Sequence, residues 1–357
     1  MRILVLNGPN LDRLGRREPE VYGSETLADL ESTLATKGIE LGAVIDARQS
    51  NHEGDLIDWI NGSDHDGLVI NPGALSHTSR ALADSIRSIS EPTVEVHISN
   101  VRDREPWRAV SVVSPACVHS IYGRGTRGYL DAIRHLVNRA AYPSEEVRYG
   151  PHRDNVGDLR RGKEGLVVLV HGGFWRHEWA RDTMESLAVD LSGRGVNTWN
   201  IEYRRLGDGG GWPGSAHDVL TAFDFVPQLD LDPSAVSVVG HSAGAHLATW
   251  ATGRTSIEIG RLVSLAPVVD LPLHSGSGLF GAAEAGRLLA SGAPARVYPR
   301  VPTTSVHGMS DDLVPAEHSR SLQDGELVEV ISPDAGHFDL LDPGRAPWEV
   351  AVQRIVP

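Results

Sequence analysis

The first residues that could do chemistry lie in a polar loop near the start of the chain. A short apolar run at residues 3–6 predicts a strand buried on both faces, and the turn-forming residues 7–10 end it. The loop that follows, residues 11–23, holds three arginines that could clamp an anion and Tyr22, whose hydroxyl can titrate. Ligands of open α/β sheets bind at the carboxyl ends of the strands, so a site is expected here.

Two further predicted strands bring polar side chains to the same edge. Asn71 ends an apolar strand at residues 67–71, and His97 ends another at residues 93–97. With Asn10, these side chains come from three strands whose carboxyl ends meet at one rim of a parallel sheet. A lone histidine at a strand end is usually structural, but this grouping favours a catalytic site.

Strands alternate with helical segments through the first 140 residues, which predicts a parallel sheet with helices on both faces, flavodoxin-like in topology. Ser24 is the predicted N-cap of the first helix. Residues 110–113, Val-Ser-Val-Val, are a further candidate strand.

The ordered motifs of this half resemble the type II 3-dehydroquinate dehydratases. Beyond residues 6–23 they are Gln49-Ser50-Asn51-His52-Glu53-Gly54, Asn71-Pro72-Gly73-Ala74, His77-Thr78-Ser79, Glu95-Val96-His97-Ile98-Ser99-Asn100, residues 102–108 and Ser114-Pro115. The resemblance covers residues 1 to about 140. It implies dehydration of 3-dehydroquinate to 3-dehydroshikimate, either in the shikimate pathway or in quinate catabolism.

Dehydration of a β-hydroxy ketone needs a base, a group that stabilises the enolate and an acid for the departing hydroxyl. The resemblance implies Tyr22 as a tyrosinate base, with Arg17 favouring its ionised form. It implies His97 as the acid, oriented by Glu95, and Asn10 as the group that stabilises the enolate. It also assigns substrate-binding positions, of which Asp84 would reach a neighbouring subunit's site: Asn71, His77, Asp84, Ile98, Ser99 and Arg108.

We expect no cofactor and no metal. The chain has two lysines, Lys37 and Lys163, and neither lies in a motif, which argues against the Schiff-base chemistry of the unrelated type I enzyme. Residues 123–128 fit the dinucleotide pattern G-x-G-x-x-G. The acidic residues that follow, Glu145 and Glu146, lie in a connection rather than at the end of a second strand, so dinucleotide binding is disfavoured.

The second half carries the pattern of a serine hydrolase. An apolar strand at residues 235–239 leads into Gly240-His241-Ser242-Ala243-Gly244 and an apolar helical segment, the context of a nucleophile elbow. Upstream, a strand at residues 166–170 leads into His171-Gly172-Gly173. The pair of motifs resembles the α/β-hydrolases of the esterase and kynurenine formamidase-like group.

That resemblance implies a catalytic triad in the chain order Ser, acid, His. Ser242 would be the nucleophile and His337 its base, with Asp311 as the acid and Asp312 as the fallback. Three backbone amides would form the oxyanion hole, those of Gly172, Gly173 and Ala243.

The sequence does not show which residues line the pocket of the hydrolase. Trp175, Trp179 and Trp212 are candidates for its lining, although aromatic residues near a site more often belong to the core. Residues 274–292 are rich in Gly, Ala and Ser and are a candidate mobile cap.

Composition limits the partners and the setting. The net charge of −14 argues against nucleic acid or an anionic membrane surface as a partner. The single cysteine, Cys117, excludes an internal disulfide and fits a cytoplasmic setting. We find no signal peptide and no apolar run of transmembrane length. The length predicts two domains, which we place at 1–140 and 147–357 with a linker at 141–146.

We therefore expect a bifunctional enzyme that acts on small molecules. The alternative is that the hydrolase is the main activity and the first domain is an oligomerising scaffold. The resemblance implies a trimer-based homododecamer, with a trimer as the fallback if the second domain blocks the packing. The hydrolase substrate, and whether that half is active, stay open.

Overall fold

The computed structural model of the protein describes residues 1–16, 24–101, 104–231, 236–322 and 327–355. The chain forms two compact units, Met1–Ala141 and Tyr142–Pro357. Each unit has its own sheet and its own apolar core.

In the described part of the first unit, five parallel strands lie in the order β2-β1-β3-β4-β5. This is the predicted flavodoxin-like order. The central strands β3 and β4 are buried along their whole length, as expected for strands covered on both faces. The strands are β1 (Arg2–Asn7), β2 (Val44–Gln49), β3 (Gly67–Asn71), β4 (Thr93–His97) and β5 (His119–Tyr122).

Helices cover both faces of this sheet. They are α1 (Leu27–Glu40), α2 (Glu53–Gly62), α3 (Arg80–Ser88) and α4 (Arg127–Ala141). Thr26, not Ser24, is the N-cap of α1: its hydroxyl accepts a hydrogen bond from the Asp29 N–H, and the Asp29 carboxylate accepts one from the Thr26 N–H. This reciprocal capping box satisfies two helix-terminal N–H groups, which fixes the helix start two residues later than predicted.

Residues 110–113 are not a strand, and the fifth strand of the sheet is β5. The Val112 N–H donates to the Ser76 carbonyl at 2.7 Å rather than to a strand ladder. The Ser111 hydroxyl turns toward Glu95. Local side-chain hydrogen bonds of this kind compete with sheet pairing, which is why the β-branched composition alone misleads here.

The predicted linker at 141–146 is shorter in the structure. Helix α4 ends at Ala141, and strand β6 (Ser144–Arg148) begins three residues later. This strand pairs antiparallel with β7 (Val156–Arg160) and belongs to the second sheet. Its polar sequence, Ser-Glu-Glu-Val-Arg, suits an exposed edge strand and explains why it looks like a connection.

In the part of the second unit that the structure describes, eight strands lie in the order β13-β12-β11-β10-β8-β9-β7-β6. Strands β8 to β13 are parallel, and β7 runs antiparallel to both of its neighbours. The remaining strands are β8 (Glu164–Val170), β9 (Val196–Ile201), β10 (Val236–His241), β11 (Arg261–Leu265), β12 (Thr303–Val306) and β13 (Val328–Ile331).

Helices also cover both faces of the second sheet, and two apolar clusters lie against it. The helices are α5 (Glu185–Gly193), α6 (Gly214–Phe225), α7 (Ala243–Thr252), α8 (Leu271–Ser275), α9 (Ala282–Ala290), α10 (Glu317–Arg320) and α11 (Ala346–Ile355). The fold is the predicted α/β-hydrolase architecture. Among the helices described, none has both the length and the apolar character that crossing a membrane requires.

Candidate active sites

A paired histidine and carboxylate stand at the carboxyl end of β4. The Nε2 atom of His97 lies 3.0 Å from Oε1 of Glu95, and both side chains are buried. The hydroxyls of Ser111 and Ser114 also donate to the Glu95 carboxylate. Burial alone would raise the pKa of Glu95, but the hydrogen bond and charge of His97, together with the two serines, hold it below its usual value. Glu95 is therefore ionised at neutral pH.

A cleft of about 140 Å³ opens at the carboxyl ends of β1, β3 and β4. Seven residues predicted for the site line it: Asn10, Asn71, His77, His97, Ile98, Ser99 and Arg108. Arg104 also lines it, although the sequence reasoning did not single it out from the motif at 102–108. The cleft is lined by two guanidinium groups and two imidazoles, which suits an anionic ligand.

Asn10 and Asn71 are held by the scaffold. Asn10 adopts a left-handed backbone with φ of 69°, and its N–H donates to Oδ1 of Asn51 at 2.7 Å. The amide of Asn71 donates to the Tyr129 hydroxyl at 2.9 Å, and that hydroxyl donates to Asn7 at 2.6 Å. Burial raises the pKa of Tyr129, so this phenol stays protonated and serves as a structural hydrogen-bonding group.

Two residues that line the cleft, His77 and Arg108, pack against the ring of Trp107. The His77 Nδ1 atom lies 2.8 Å from the Val110 carbonyl, and its ring packs edge-on to Trp107. The guanidinium of Arg108 lies 4.1 Å above the Trp107 ring, and its Nε–H donates to Glu105 at 2.6 Å. These contacts fix the direction of the arginine beside the cleft.

The glycine-rich turn at 123–128 supports the carboxyl end of β4 and the residues that follow it. The Gly123 N–H donates to the His97 carbonyl and the Gly125 N–H to the Ile98 carbonyl, each at 3.0 Å. The turn thus anchors the chain that carries His97, Ile98 and Ser99, a structural role that accounts for the pattern without a dinucleotide.

Three residues predicted for the first site either lie away from the cleft or fall outside the residues that the structure describes. Asp84 lies on α3, pairs with Arg87 at 3.0 Å and does not line the cleft. Arg17 and Tyr22 lie outside the described residues. Neither lysine lines the cleft: Lys37 pairs with Glu40 on α1, and Lys163 is exposed in the second unit.

In the second unit, Ser242 lies between β10 and α7 with φ of 52° and ψ of −118°. A positive φ is strained for serine and typical of a nucleophile elbow. Gly244 makes the tight turn possible, because a Cβ there would lie 2.1 Å from the His171 carbonyl oxygen. Gly172 is also restricted, since its Cβ would lie 2.7 Å from Nδ1 of His241 and 3.0 Å from Cβ of Ser242. The His-Gly-Gly loop therefore packs directly on the elbow.

His337 and Asp311 form a buried pair. The Nδ1 atom of His337 lies 2.7 Å from Oδ2 of Asp311, while Oδ1 of Asp311 accepts the N–H groups of Leu313 and Val314. Burial alone would raise the pKa of Asp311, but the His337 contact and the two N–H donors hold it below its usual value. Asp312 is exposed, so the geometry favours Asp311.

Two atoms of the second site are buried with no hydrogen-bond partner in the described residues, Oγ of Ser242 and Nε2 of His337. These are the atoms between which a serine hydrolase transfers a proton. In enzymes without substrate this contact is often long, so the arrangement is compatible with that chemistry.

A carboxylate that sequence reasoning missed holds the His-Gly-Gly loop. Glu202, just after β9, lies 2.8 Å from Nε2 of His171 and forms an ion pair with Nη1 of Arg205 at 2.9 Å. The Tyr203 hydroxyl donates to the His171 carbonyl at 2.7 Å. The only sequence signal is a polar Glu-Tyr pair that follows an apolar strand.

The three candidate tryptophans differ in their surroundings. Trp175 is fully buried edge-on to His246, and Trp179 stacks on Phe338 beside His337. Trp212 packs edge-on to Trp250 in the apolar core. Within the described residues, no group of three or more His, Cys, Asp or Glu side chains could hold a metal ion.

Fold and cleft define the first unit as an α/β enzyme that binds its ligand at the strand ends of a flavodoxin-like sheet. The family model "Dehydroquinase class II" matches residues 1–137. The 3-dehydroquinate dehydratase 1 of Agrobacterium fabrum is 53% identical over 141 residues, which are 39% of this chain and 97% of that protein. The 3-dehydroquinate dehydratase of Bacillus pumilus is 55% identical over 137 residues, 38% of this chain and 93% of its own. Through its first unit the chain belongs to the type II 3-dehydroquinate dehydratase family.

The second unit has the α/β-hydrolase fold. The family model "BD-FAE" matches residues 158–259. The structure of an inhibited esterase B from Lactobacillus rhamnosis is similar with a TM-score of 0.51 and 18% identity, covering 63% of this chain and 90% of its own. At this identity the likeness concerns the fold.

Proposed function

We propose that the first unit dehydrates 3-dehydroquinate to 3-dehydroshikimate through an enolate. The observation that carries the proposal is the contact of buried Glu95 with His97, whose imidazole lines a cleft that two arginines also line, in a unit of this family. His97 would protonate the departing hydroxyl, and Glu95 would orient its ring. Asn10 would stabilise the enolate oxygen.

The substrate carboxylate would bind at Arg108 and at the backbone amides of Ile98 and Ser99. Asn71 and His77 would contact the ring hydroxyls. Support comes from their common position along the cleft. Asp84, exposed on α3, would act across a subunit contact.

The proposed base is Tyr22 as tyrosinate, with Arg17 stabilising its charge. An ordinary tyrosine has a pKa of about 10, so the neighbouring cation is essential to the role. Neither lysine is among the described residues that line the cleft, which supports a route without an imine. Dehydration should therefore survive treatment with borohydride and substrate, and a covalent adduct on Lys37 or Lys163 would contradict the mechanism.

The test of this activity is the ultraviolet absorbance of the conjugated enone product after addition of 3-dehydroquinate. We expect absorbance to rise with the full chain and not with Tyr22→Phe, which removes only the titrating hydroxyl. No rise with folded wild-type protein would refute the dehydratase assignment, and near wild-type turnover by the variant would remove Tyr22 from the base role.

We further propose that the second unit is a serine hydrolase of small esters or amides. Ser242 would attack the acyl carbon, His337 would take its proton, and Asp311 would hold the imidazole tautomer. The backbone amides of Gly172, Gly173 and Ala243 would stabilise the oxyanion. Support comes from the strained elbow at Ser242 and the 2.7 Å contact of His337 with Asp311.

Cleavage of p-nitrophenyl acetate and labelling of Ser242 by a fluorophosphonate test this second activity. Because the hydrolase unit shares a chain with the first unit, one group of substrates to test is the esters of quinate-type acids with aromatic acids. Their turnover is to be compared with that of N-formylkynurenine and simple acetates. Labelling that is lost in Ser242→Ala supports the proposal. If the folded protein is not labelled and hydrolyses no ester or amide, the second unit is a scaffold and not a hydrolase.

We propose a homo-oligomer in the cytoplasm, a trimer-based dodecamer or, if the second unit blocks that packing, a trimer. The exposed position of Asp84 supports a contact between subunits. Light scattering that gives a monomer at micromolar concentration would contradict both assemblies.

A further inference from the structure

Tyr122 on β5 lies beside the proposed acid of the dehydratase site. Strands β4 and β5 are parallel neighbours, and their register pairs His97 with Tyr122. The two rings are stacked, with an interplanar angle of 4° and centroids 5.2 Å apart. Tyr122 is not among the described residues that line the cleft, so substrate binding does not explain why its ring lies against His97.

The hydroxyl of Tyr122 connects the same ring to Glu95. It lies 2.7 Å from Oγ of Ser114. Ser114 has one O–H, which it donates to the Glu95 carboxylate, so Tyr122 donates to Ser114. Oε1 of Glu95 in turn lies 3.0 Å from Nε2 of His97. Four side chains thus form a closed circle in which each contacts the next: His97, Glu95, Ser114 and Tyr122.

The backbone holds the two strand ends in register at this circle. The N–H of Gly123, the residue after Tyr122, donates to the His97 carbonyl at 3.0 Å. Ser120 lies opposite Glu95 in the same register, and its hydroxyl donates to Oε2 of Glu95 at 3.4 Å. Residues i and i+2 of a strand point to the same face, so Glu95 and His97 share a face of β4. Ser120 and Tyr122 share a face of β5 for the same reason.

The stacked ring supplies a restraint that the carboxylate alone does not. The torsion that turns the ring of a histidine is broad, and the contact of Glu95 with Nε2 fixes one atom and leaves the ring free to tilt about it. A ring stacked on the imidazole face opposes that tilt. His77 is also nearly parallel to His97, at 20°, but its centroid is 6.5 Å away, so Tyr122 provides the closer face. The plane of His97 sets the direction of its other nitrogen, Nδ1, relative to the substrate.

We propose that Tyr122 is a positioning residue of the dehydratase: its ring sets the plane of His97, and its hydroxyl, through Ser114, supports the carboxylate that holds His97. The inference rests on the proposed function, in which His97 protonates the departing hydroxyl. Proton transfer from a general acid depends steeply on the position of the donor. Tyr122 therefore acts on the chemical step and not on the affinity for substrate.

Two variants of Tyr122 separate the ring from the hydroxyl. Tyr122→Leu removes the flat ring and should lower kcat for dehydration about tenfold or more, with KM changed less than about twofold. Tyr122→Phe keeps the stacked ring, and Ser114 keeps its contacts with Glu95 and Ser120, so kcat should stay within about threefold of wild type. A wild-type kcat in Tyr122→Leu, an equal loss in both variants or a change confined to KM would overturn the proposal.

A double variant tests whether Tyr122 acts through His97. Glu95 and Tyr122 restrain the same imidazole, so their effects should not be independent. Adding Tyr122→Leu to Glu95→Gln should therefore lower kcat severalfold less than Tyr122→Leu lowers it in the wild type. If the two losses multiply in full, Tyr122 contributes to the structure without orienting His97, and the proposal is wrong.

Tyr142→Leu is the matched control, because Tyr142 is also partly exposed but belongs to the second unit, and it should keep the wild-type rate of dehydration. Circular dichroism and light scattering identify variants that have not folded. Tyr122→Met, which removes the ring but keeps a long apolar side chain, replaces Tyr122→Leu if the latter does not fold. If the folded wild type does not dehydrate 3-dehydroquinate, the proposed function fails and the positioning role fails with it. If the wild type is active and Tyr122→Leu equals it, only the positioning role fails.

Discussion

Oε1 of Glu95 lies 3.0 Å from Nε2 of His97, two residues along the same strand, with Glu95 fully buried. Residues i and i+2 of a strand point to the same face, so β4 itself brings the pair together. The hydroxyls of Ser111, Ser114 and Ser120 also donate hydrogen bonds to the carboxylate. One imidazole nitrogen is thus held, and the ring faces the cleft in a fixed orientation.

Glu95→Gln should lower dehydration about 10²-fold, because the amide keeps the size of the side chain but loses the charge that orients and supports a protonated His97. Steady-state rates from enone absorbance measure this. Glu91→Gln, which changes a partly exposed carboxylate in the same unit that does not line the cleft, should leave the rate unchanged. Equal rates for wild type and Glu95→Gln would remove Glu95 from the mechanism.

The lowered pKa of Glu95 predicts a pH dependence of stability. Since the folded-state pKa lies below the unfolded one, near ~4.3, the ionised carboxylate stabilises the fold fully above that pH. This stabilisation is lost as the pH falls through the folded-state pKa. Urea unfolding of the first unit between pH 7 and 3 should show the wild type losing its advantage over Glu95→Gln in the acidic range. A difference that does not change with pH would contradict the assignment.

Asp311→Asn should lower ester hydrolysis about 10³- to 10⁴-fold, because the amide no longer holds the His337 tautomer or stabilises its charged form. Asp312→Asn is the matched control, since its exposed side chain is one residue away. Rates with p-nitrophenyl acetate distinguish the two. A larger loss in the Asp312 variant would reverse the assignment of the acid.

Gly244→Ala should abolish hydrolysis and destabilise the second unit by about 1–3 kcal/mol. The added Cβ would lie 2.1 Å from the His171 carbonyl oxygen and 2.2 Å from that of Val170, and backbone atoms cannot move aside as a flexible side chain can. Gly286→Ala on α9, where nothing lies within 4 Å of the added Cβ, should be neutral or slightly stabilising. Thermal unfolding and p-nitrophenyl acetate cleavage check both. Full activity in Gly244→Ala would mean that the loop tolerates displacement.

Much of both folds follows from local pattern. Apolar runs that end in Asn71 and His97 or lead into Ser242 predict strands and the edge at which polar groups meet. The predictions fail where specific hydrogen bonds determine the local structure. The reciprocal hydrogen bonds of Thr26 and Asp29 place the start of α1 later than the sequence predicts. Likewise, polar residues that were predicted to be a linker form strand β6, because they pair with β7.

The sites divide in the same way. Motif order identifies the segments that carry functional side chains, but adjacent carboxylates such as Asp311 and Asp312 differ only in burial and partners, which sequence does not record. Glu202 was missed because its contact with His171 joins the ends of two strands 31 residues apart.

Crossed variants measured in both assays test most directly whether this one chain carries two chemically independent active sites. Ser242→Ala should abolish p-nitrophenyl acetate cleavage and leave dehydration of 3-dehydroquinate at the wild-type rate, and His97→Ala should do the reverse. Both variants should keep the wild-type assembly in light scattering. If Ser242→Ala, folded and correctly assembled, also lost dehydration, or if His97→Ala kept it, two independent sites with these residues would be contradicted.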